Sequence, residues 1–270
     1  VATAKDILFA AGLPRLEARM LLEHVLQKPR SWILAHDTDP LPPEAVRAYT
    51  VLAARRAAGE PIAYLLGERE FMGHAFKVGP DVLIPRPETE LLVETGLEWL
   101  QGFDSLSVLD MGTGSGAIAI SIALARPDVA VLATDYSLAA LKVAAENALR
   151  LKARVHFAPG DWYQALTAVR KFDLIVSNPP YISRQDPHLE QGDLRFEPRQ
   201  ALTDDADGLA ALRTIIAGAP EHLKPGGAIW VEHGWDQAPA VRRLLEAAGL
   251  RGVASRRDLA GIERISGGYL

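Results

Sequence analysis

Val108-Leu109-Asp110-Met111-Gly112-Thr113-Gly114-Ser115-Gly116 joins a short apolar run to three glycines at alternate positions, and the apolar run Ala117 to Ala125 follows at once. Strand, glycine turn and helix form the start of a βα unit, and glycines there let a ligand approach the backbone closely. Similar units follow: strand 130–134 with helix 138–149, strands 155–158 and 172–177, helix 208–219, strand 228–232 and helix 238–248. Repeated βα units predict a parallel sheet with helices on both faces. Two closing runs, 252–256 and 263–266, have no helix between them and predict an antiparallel edge hairpin. The fold class is therefore α/β, a doubly wound Rossmann-like sheet.

Upstream the pattern changes. Ile7, Leu8, Leu16, Met20, Leu21, Val25 and Leu26 recur at helical spacing around a break at Gly12-Leu13-Pro14, and Pro43-Glu44 suits the start of a further helix reaching Gly59. Residues 1–67 are expected to form a small helical domain. Near alternation of Phe71, Phe76, Val78 and Val82 around Gly73 and Gly79-Pro80 predicts a β-hairpin linker over 68–84, followed by the sheet domain over 85–270. Pro87 with Glu88 and Glu90 marks another helix start, and Arg86, held between two prolines, is oriented by rigid backbone.

Composition narrows the function classes. The 270 residues are 49% hydrophobic and 23% charged, in the range of globular proteins. Zero cysteines exclude disulfides, thiolate zinc sites and cysteine nucleophiles. A net charge of -5 argues against a broad phosphate-binding surface, so no direct nucleic-acid partner is expected. Absence of a long apolar run or signal segment gives the expectation of a cytoplasmic chain with no membrane partner. His188 and His233 are isolated, without paired spacing, and no metal is expected. A serine hydrolase fails for want of a Gly-x-Ser-x-Gly elbow.

The glycine loop implies a nucleotide-like cofactor, but Gly112-x-Gly114-x-x-Ala117 also satisfies the dinucleotide fingerprint. Asp110 at the loop entrance disfavours a pyrophosphate and suits a cationic ligand. Asp135, ending the second strand, can accept from ribose hydroxyls, and Asp161-Trp162 after the third offers an acid and a ring to an adenine. Three acids and no loop lysine favour S-adenosylmethionine, which has adenosine, a sulfonium and an amino acid but no phosphate.

Asn178-Pro179-Pro180-Tyr181 ends the fourth strand. By itself it could be a strand-ending turn. Beside a cofactor loop it becomes a grip for a planar NH2 group: the Asn178 side-chain carbonyl accepts one N–H, the Pro179 carbonyl accepts a second, and the prolines fix both beforehand. An amide nitrogen is a poor nucleophile because its lone pair is delocalised. Two such hydrogen bonds would favour a pyramidal nitrogen and aim its lone pair in line with a sulfonium methyl, each at about 2.7–4 kcal/mol of barrier by analogy with donor deletions. Tyr181 supplies a flat ring for stacking and cation–π contact. Asp186, Asp193, Arg195 and Glu197 lie in a long polar loop, expected to be a lid or partner contact.

At this point the chain resembles a known family. Leu83-Ile84-Pro85-Arg86-Pro87-Glu88-Thr89-Glu90, the glycine loop, Ser177-Asn178-Pro179-Pro180-Tyr181-Ile182, Arg195-Phe196-Glu197-Pro198 and Glu232-His233-Gly234 are similar to those of the peptide chain release factor glutamine methyltransferases, the HemK/PrmC family. The resemblance covers nearly the whole chain. It implies methylation of the glutamine amide in the Gly-Gly-Gln loop of class I release factors, by a monomer whose helical domain docks the substrate protein. Carried over, Asp110, Gly112, Thr113, Gly114, Ser115, Gly116, Asp135, Asp161, Trp162 and Asn178 would contact the cofactor, and Asn178, Pro179, Pro180, Tyr181, Arg86 and Glu197 the substrate. Asn-Pro-Pro-Tyr is shared with adenine-amino methyltransferases of nucleic acids, which remain the second reading; a nicotinamide oxidoreductase is the third and leaves that tetrapeptide unexplained. A non-catalytic docking module is the last, since every expected site residue is present.

Overall fold

The computed structural model describes residues 2–166 and 170–270, in two compact units, Val1–Glu68 and Arg69–Leu270. In the first unit, α1 (Ala4–Ala10), α2 (Arg15–Leu26), α3 (Arg30–Ala35), α4 (Pro43–Ala57) and α5 (Ile62–Leu66) surround a core of Leu21, Leu22, Ile33, Leu41, Tyr49 and Leu65. Thr3 and Asp6 form a reciprocal capping box at α1, satisfying two N–H groups that a helix start leaves open. Arg56 of α4 grips Glu17 of α2 through two nitrogens at 2.7 and 3.0 Å. The pattern did not predict α3 and α5. Each is shorter than two turns, follows a proline, and takes its stability from the buried Ile33 and Leu65 rather than from an apolar period of its own.

A hairpin follows, β1 (Glu68–Phe71) and β2 (His74–Lys77), all but its first residue in the second unit. It is shorter than the expected 68–84, because the chain beyond Lys77 leaves strand pairing while still burying Val78, Val82 and Ile84. A 3-10 turn at Pro87–Thr89 leads into α6 (Glu90–Trp99). Then come β3 (Ser107–Met111), α7 (Ala117–Ala125), β4 (Ala130–Asp135), α8 (Leu138–Leu151), β5 (Val155–Pro159), β6 (Phe172–Ser177), α9 (Arg199–Leu202), α10 (Ala210–His222), β7 (Leu223–Glu232), α11 (Ala238–Ala247), β8 (Arg251–Arg257) and β9 (Glu263–Tyr269).

The sheet has seven strands in the order β5-β4-β3-β6-β7-β9-β8. β3 to β7 are parallel; β9 runs antiparallel to β7 and to β8. The order reverses between β3 and β6, so the crevice at the C-terminal ends of these two strands is the switch point where open α/β sheets bind ligands. One apolar layer, with Leu92, Val108, Ile120 and Val176, lies on one face, and Leu109, Ile175, Ile215 and Val231 belong to the other. α7 is buried along most of its length, which explains why its run is apolar at every position except Ser121.

Candidate active site

The register places Met111 beside Ser177, so the glycine loop after β3 and the tetrapeptide after β6 leave the sheet side by side. Ser177 Oγ reinforces the pairing by donating to the Met111 carbonyl at 2.7 Å. Gly112, Gly114 and Gly116 all have positive φ, at 72°, 55° and 84°. At Gly116 a Cβ would lie 2.7 Å from Ile120 Cδ1 and 3.1 Å from Ala144 Cβ, so both conformation and space require glycine. The Gly112 and Thr113 N–H groups donate to the Thr134 carbonyl, and the Gly114 N–H donates to Asp135 Oδ2 at 2.9 Å.

Three cavities meet here. The main one is lined by Gly112, Gly114, Asp135, Tyr136, Asp161, Trp162, Asn178 and Pro180, with Val82, Leu83 and Ala201 as apolar walls. Among the described residues that line it, none is lysine or arginine. A second includes Thr89, Thr113 and Ser115; a third includes Arg86, Pro179, Tyr181 and Ile182. Leu83 and Asn178 line all three.

Asn178 sits at that junction with its amide half committed. Nδ2 donates to Thr89 Oγ1 at 3.2 Å, while Oδ1 is buried and has no hydrogen-bond partner among the described residues. A buried amide oxygen without a partner costs roughly 1–3 kcal/mol, which an incoming N–H would recover. The Tyr181 hydroxyl donates to Glu232 Oε1 at 3.0 Å, leaving its ring for stacking. Gln237 Nε2 donates to the Tyr181 carbonyl at 3.0 Å and to the Gly208 carbonyl at 3.1 Å. At Gly208, φ is +80° and a Cβ would lie 2.4 Å from that same Tyr181 oxygen. The exit of the tetrapeptide is thus fixed by α11 and by the turn before α10.

Asp135 is 8% exposed; burial raises its pKa, opposed by N–H donations from Ser137, Gly114 and Tyr136. These three donations leave the carboxylate about one of its four lone-pair sites for a further donor. Burial first, then the nearby charges of Asp135 and Asp161, push the Tyr136 hydroxyl up to about 12. Trp162 adopts φ 44° and lies against Gly112, where a Cβ would meet its ring at 3.5 Å.

Of the predicted site residues, Asp110, Gly116 and Glu197 line none of these three cavities. Asp110 is 0% exposed, its Oδ2 accepts from Thr113 Oγ1 at 2.6 Å and from the Ala119 N–H at 3.2 Å, and burial pushes its pKa up to about 7. Oδ2 thus braces the glycine loop, while Oδ1 is buried without a hydrogen-bond partner among the described residues. Glu197 was expected to meet substrate. Its carboxylate is instead fully buried, paired with Arg86 and accepting from the Ile84 N–H at 3.0 Å. The pair clasps the 84–86 segment to the polar loop, which folds into short turns and α9 rather than standing open. Arg86, 31% exposed, still lines the third cavity.

Residues that the motifs did not reveal hold the site together. Asn147, buried in α8, donates to the Ser115 carbonyl at 2.9 Å and the Lys77 carbonyl at 3.0 Å, and accepts from the Lys77 N–H at 2.7 Å. A lone Asn on the buried stripe of α8 was the available signal. His233 is buried; its Nδ1 lies 2.9 Å from the Gly234 carbonyl, which can only accept, and its Nε2 lies 2.7 Å from Ser266 Oγ. Burial lowers its pKa, so the ring is a neutral brace between β7 and β9.

Comparison with known proteins agrees with this geometry. Residues 1–67 match the PrmC N-terminal domain and residues 87–193 the methyltransferase small domain. A release factor glutamine methyltransferase of Bordetella pertussis is 69% identical over 98% of both chains, and one of Burkholderia pseudomallei is 58% identical over 100% of this chain and 96% of its own. The fold is shared with a Thermus thermophilus 16S rRNA N2 G1207 methyltransferase solved with AdoMet and guanosine, at 20% identity and a TM-score of 0.56 over 75% of this chain and 49% of that one. With identity this high across nearly its whole length, the chain belongs to the release factor glutamine methyltransferase family.

Proposed function

We propose that this enzyme transfers a methyl group from S-adenosylmethionine to the side-chain amide nitrogen, N5, of the glutamine in the Gly-Gly-Gln motif of class I peptide chain release factors. The observation that carries the reading is Asn178 Oδ1, a buried acceptor without a partner among the described residues, at the meeting point of three cavities. Relatives named for this activity at 69% and 58% identity supply the substrate class.

The residues present fit the cofactor. Asp135 suits a ribose diol, Trp162 an adenine face, Asp161 its amino group, and the absence of lysine or arginine among the described lining residues suits a ligand without phosphate. Backbone of Gly112 and Gly114 lets it lie close to the loop, with Thr113 and Ser115 on the neighbouring wall. When bound, it supplies an electrophilic methyl group on a sulfonium.

The protein's own contribution is orientation. Asn178 Oδ1 accepts one N–H of the glutamine amide and the Pro179 carbonyl the other, so the nitrogen is turned from conjugation and its lone pair faces the cofactor side. The ring of Tyr181 and the prolines form the plane against which the amide lies. Arg86 stands at the substrate-side cavity, its direction set by Glu197. After alkylation the nitrogen is acidic, and water can take its proton. We place the enzyme in the cytoplasm as a monomer, with residues 1–67 docking the release factor, and the net charge of -5 supports a protein rather than a nucleic-acid substrate.

The test is transfer of labelled methyl from S-adenosylmethionine to a class I release factor, to the same factor with the Gly-Gly-Gln glutamine changed, and to DNA. Label on the unchanged factor alone is expected; label that persists after the change, or appears only on DNA, overturns the reading.

A further inference from the structure

We propose that Asn147 is a positioning residue for cofactor binding: its side-chain amide joins two walls of the main cavity, so that the glycine loop and the segment between β2 and α6 are held at one separation. This rests on the reading that S-adenosylmethionine occupies that cavity.

Gly112 and Gly114 belong to one wall, and Asp81, Val82 and Leu83 to another. Leu83 also borders the second cavity, together with Thr113 and Ser115. The glycine loop is held from its own side of the sheet by Asp110, Thr134 and Asp135. Segment 78–86 has no strand ladder to hold it. Near its far end the Ile84 N–H donates to Glu197. Its near end follows Lys77, the last residue of β2, and Lys77 is the residue that Asn147 grips.

Asn147 lies in α8 and is 0% exposed. Its Oδ1 accepts from the Lys77 N–H at 2.7 Å, and Nδ2 spends its two hydrogens on the Lys77 carbonyl at 3.0 Å and the Ser115 carbonyl at 2.9 Å. An N–H can only donate and a carbonyl can only accept, so these partners fix the amide in one orientation. Toward Lys77 the side chain replaces the backbone of a neighbouring strand. Toward Ser115 it holds the peptide group whose other polar atom, the Gly116 nitrogen, donates to the Thr113 carbonyl at 2.8 Å. Both polar ends of that peptide are therefore engaged, where the loop turns into α7. One amide thus fixes the chain just before the 81–83 wall and just after Gly114.

Seating β2 on α8 does not by itself require this residue. Lys77 Nζ pairs with Glu146 at 2.6 Å and Arg150 donates to the Ala75 carbonyl, and neither contact reaches the glycine loop. An apolar side chain at 147 could pack between helix and hairpin, but it could not carry the position of Lys77 to Ser115. A cavity whose walls already stand at their bound separation has less ordering to supply when the ligand enters, and binds it more tightly for that reason.

Two measurements test the tie. In the first, calorimetry gives the Kd for S-adenosylmethionine of wild type, Asn147→Leu and the double variant Glu146→Gln/Arg150→Met, below their melting transitions. Both variants should melt earlier, but only Asn147→Leu should weaken the cofactor, by about three- to ten-fold, the worth of one net hydrogen bond. Its KM for the cofactor should rise in step, with kcat at saturation within about two-fold of wild type. An unchanged Kd in Asn147→Leu, or an equal loss in the double variant, overturns the tie. The second measurement needs only the wild type: amide hydrogen exchange with and without S-adenosylhomocysteine. The Lys77 amide should slow several-fold more than that of Met72, which lies in the same hairpin but donates to Glu90 in α6. Equal slowing at both, or none at Lys77, overturns the tie. A wild type that binds neither ligand overturns the cofactor reading and the tie with it, an outcome distinct from a wild type that binds while Lys77 stays indifferent.

Discussion

Replacing Arg86 by methionine should destabilise the sheet domain in a pH-dependent way, because the change strands a carboxylate. Glu197 is fully buried and its two oxygens are satisfied by Arg86 and by the Ile84 N–H. Burial raises its pKa, and the Arg86 charge is the first of the influences that hold it down. Breaking a buried ion pair from one side costs about 3–5 kcal/mol, and since Arg86 is 31% exposed a figure at or just below the bottom of that range, about 2–3 kcal/mol, is appropriate. The sign of the pH effect follows from proton binding. Without Arg86 the folded state holds a proton on Glu197 to higher pH than the unfolded chain does, so stability falls as pH rises between the two pKa values, by at most about 1.4 kcal/mol per pH unit. The penalty is therefore largest at alkaline pH and shrinks toward the unfolded carboxylate range. Urea unfolding of wild type, Arg86→Met, Glu197→Gln and the double variant, followed near pH 6 and about pH 8.5, measures it. The double variant should recover most of the loss, because the amide introduced by Glu197→Gln keeps an oxygen for the Ile84 N–H and carries no charge. An Arg86→Met penalty equal at both pH values, or undiminished in the double variant, would refute the clasp.

Three further outcomes follow from the site. Asn178→Ala should lower kcat on the order of a hundred- to a thousand-fold while cofactor affinity by calorimetry stays near wild type; equal loss of both would mean that the residue builds the cofactor cavity instead. Gly116→Ala places a Cβ at φ 84° within 2.7 Å of Ile120 and should cost about 1–3 kcal/mol in urea unfolding, with an unchanged midpoint counting against the packing described. Gln237→Leu removes the amide that donates to the Tyr181 and Gly208 carbonyls and accepts from the Gly234 N–H at 2.8 Å, and should cost about 1–3 kcal/mol in the same assay.

The sheet was legible because its code is local: an apolar strand, a glycine turn and an apolar helix each signal themselves within a few residues, as in Val108 to Ala125. The short helices Arg30–Ala35 and Ile62–Leu66 were not, since each is held by one or two buried side chains rather than by a period. The tetrapeptide and the glycine loop announced the chemistry, and the register Met111 to Ser177 brings them together. What residue type could not announce is which acids face the cavity. Asp110, Asp135, Glu197 and Glu232 are alike in a sequence, yet only Asp135 among them lines the main cavity.

The difference lies in what each carboxylate is required to satisfy. Asp110 accepts from a hydroxyl and an N–H within its own βα turn, both through Oδ2, so the carboxylate is drawn into the loop. Glu197 answers an arginine and an N–H 111 and 113 residues away, and Glu232 a tyrosine 51 residues away. Such partners are chosen by topology, because the proline-held segment before α6, the tetrapeptide after β6 and the end of β7 all converge at one sheet edge. A site of this kind needs two sets of polar groups: a few with unanswered lone pairs directed at the ligands, and a larger number answered by one another so that the first set cannot turn. Sequence motifs record both sets alike, and only the distances separate the atoms that bind from the atoms that hold them still.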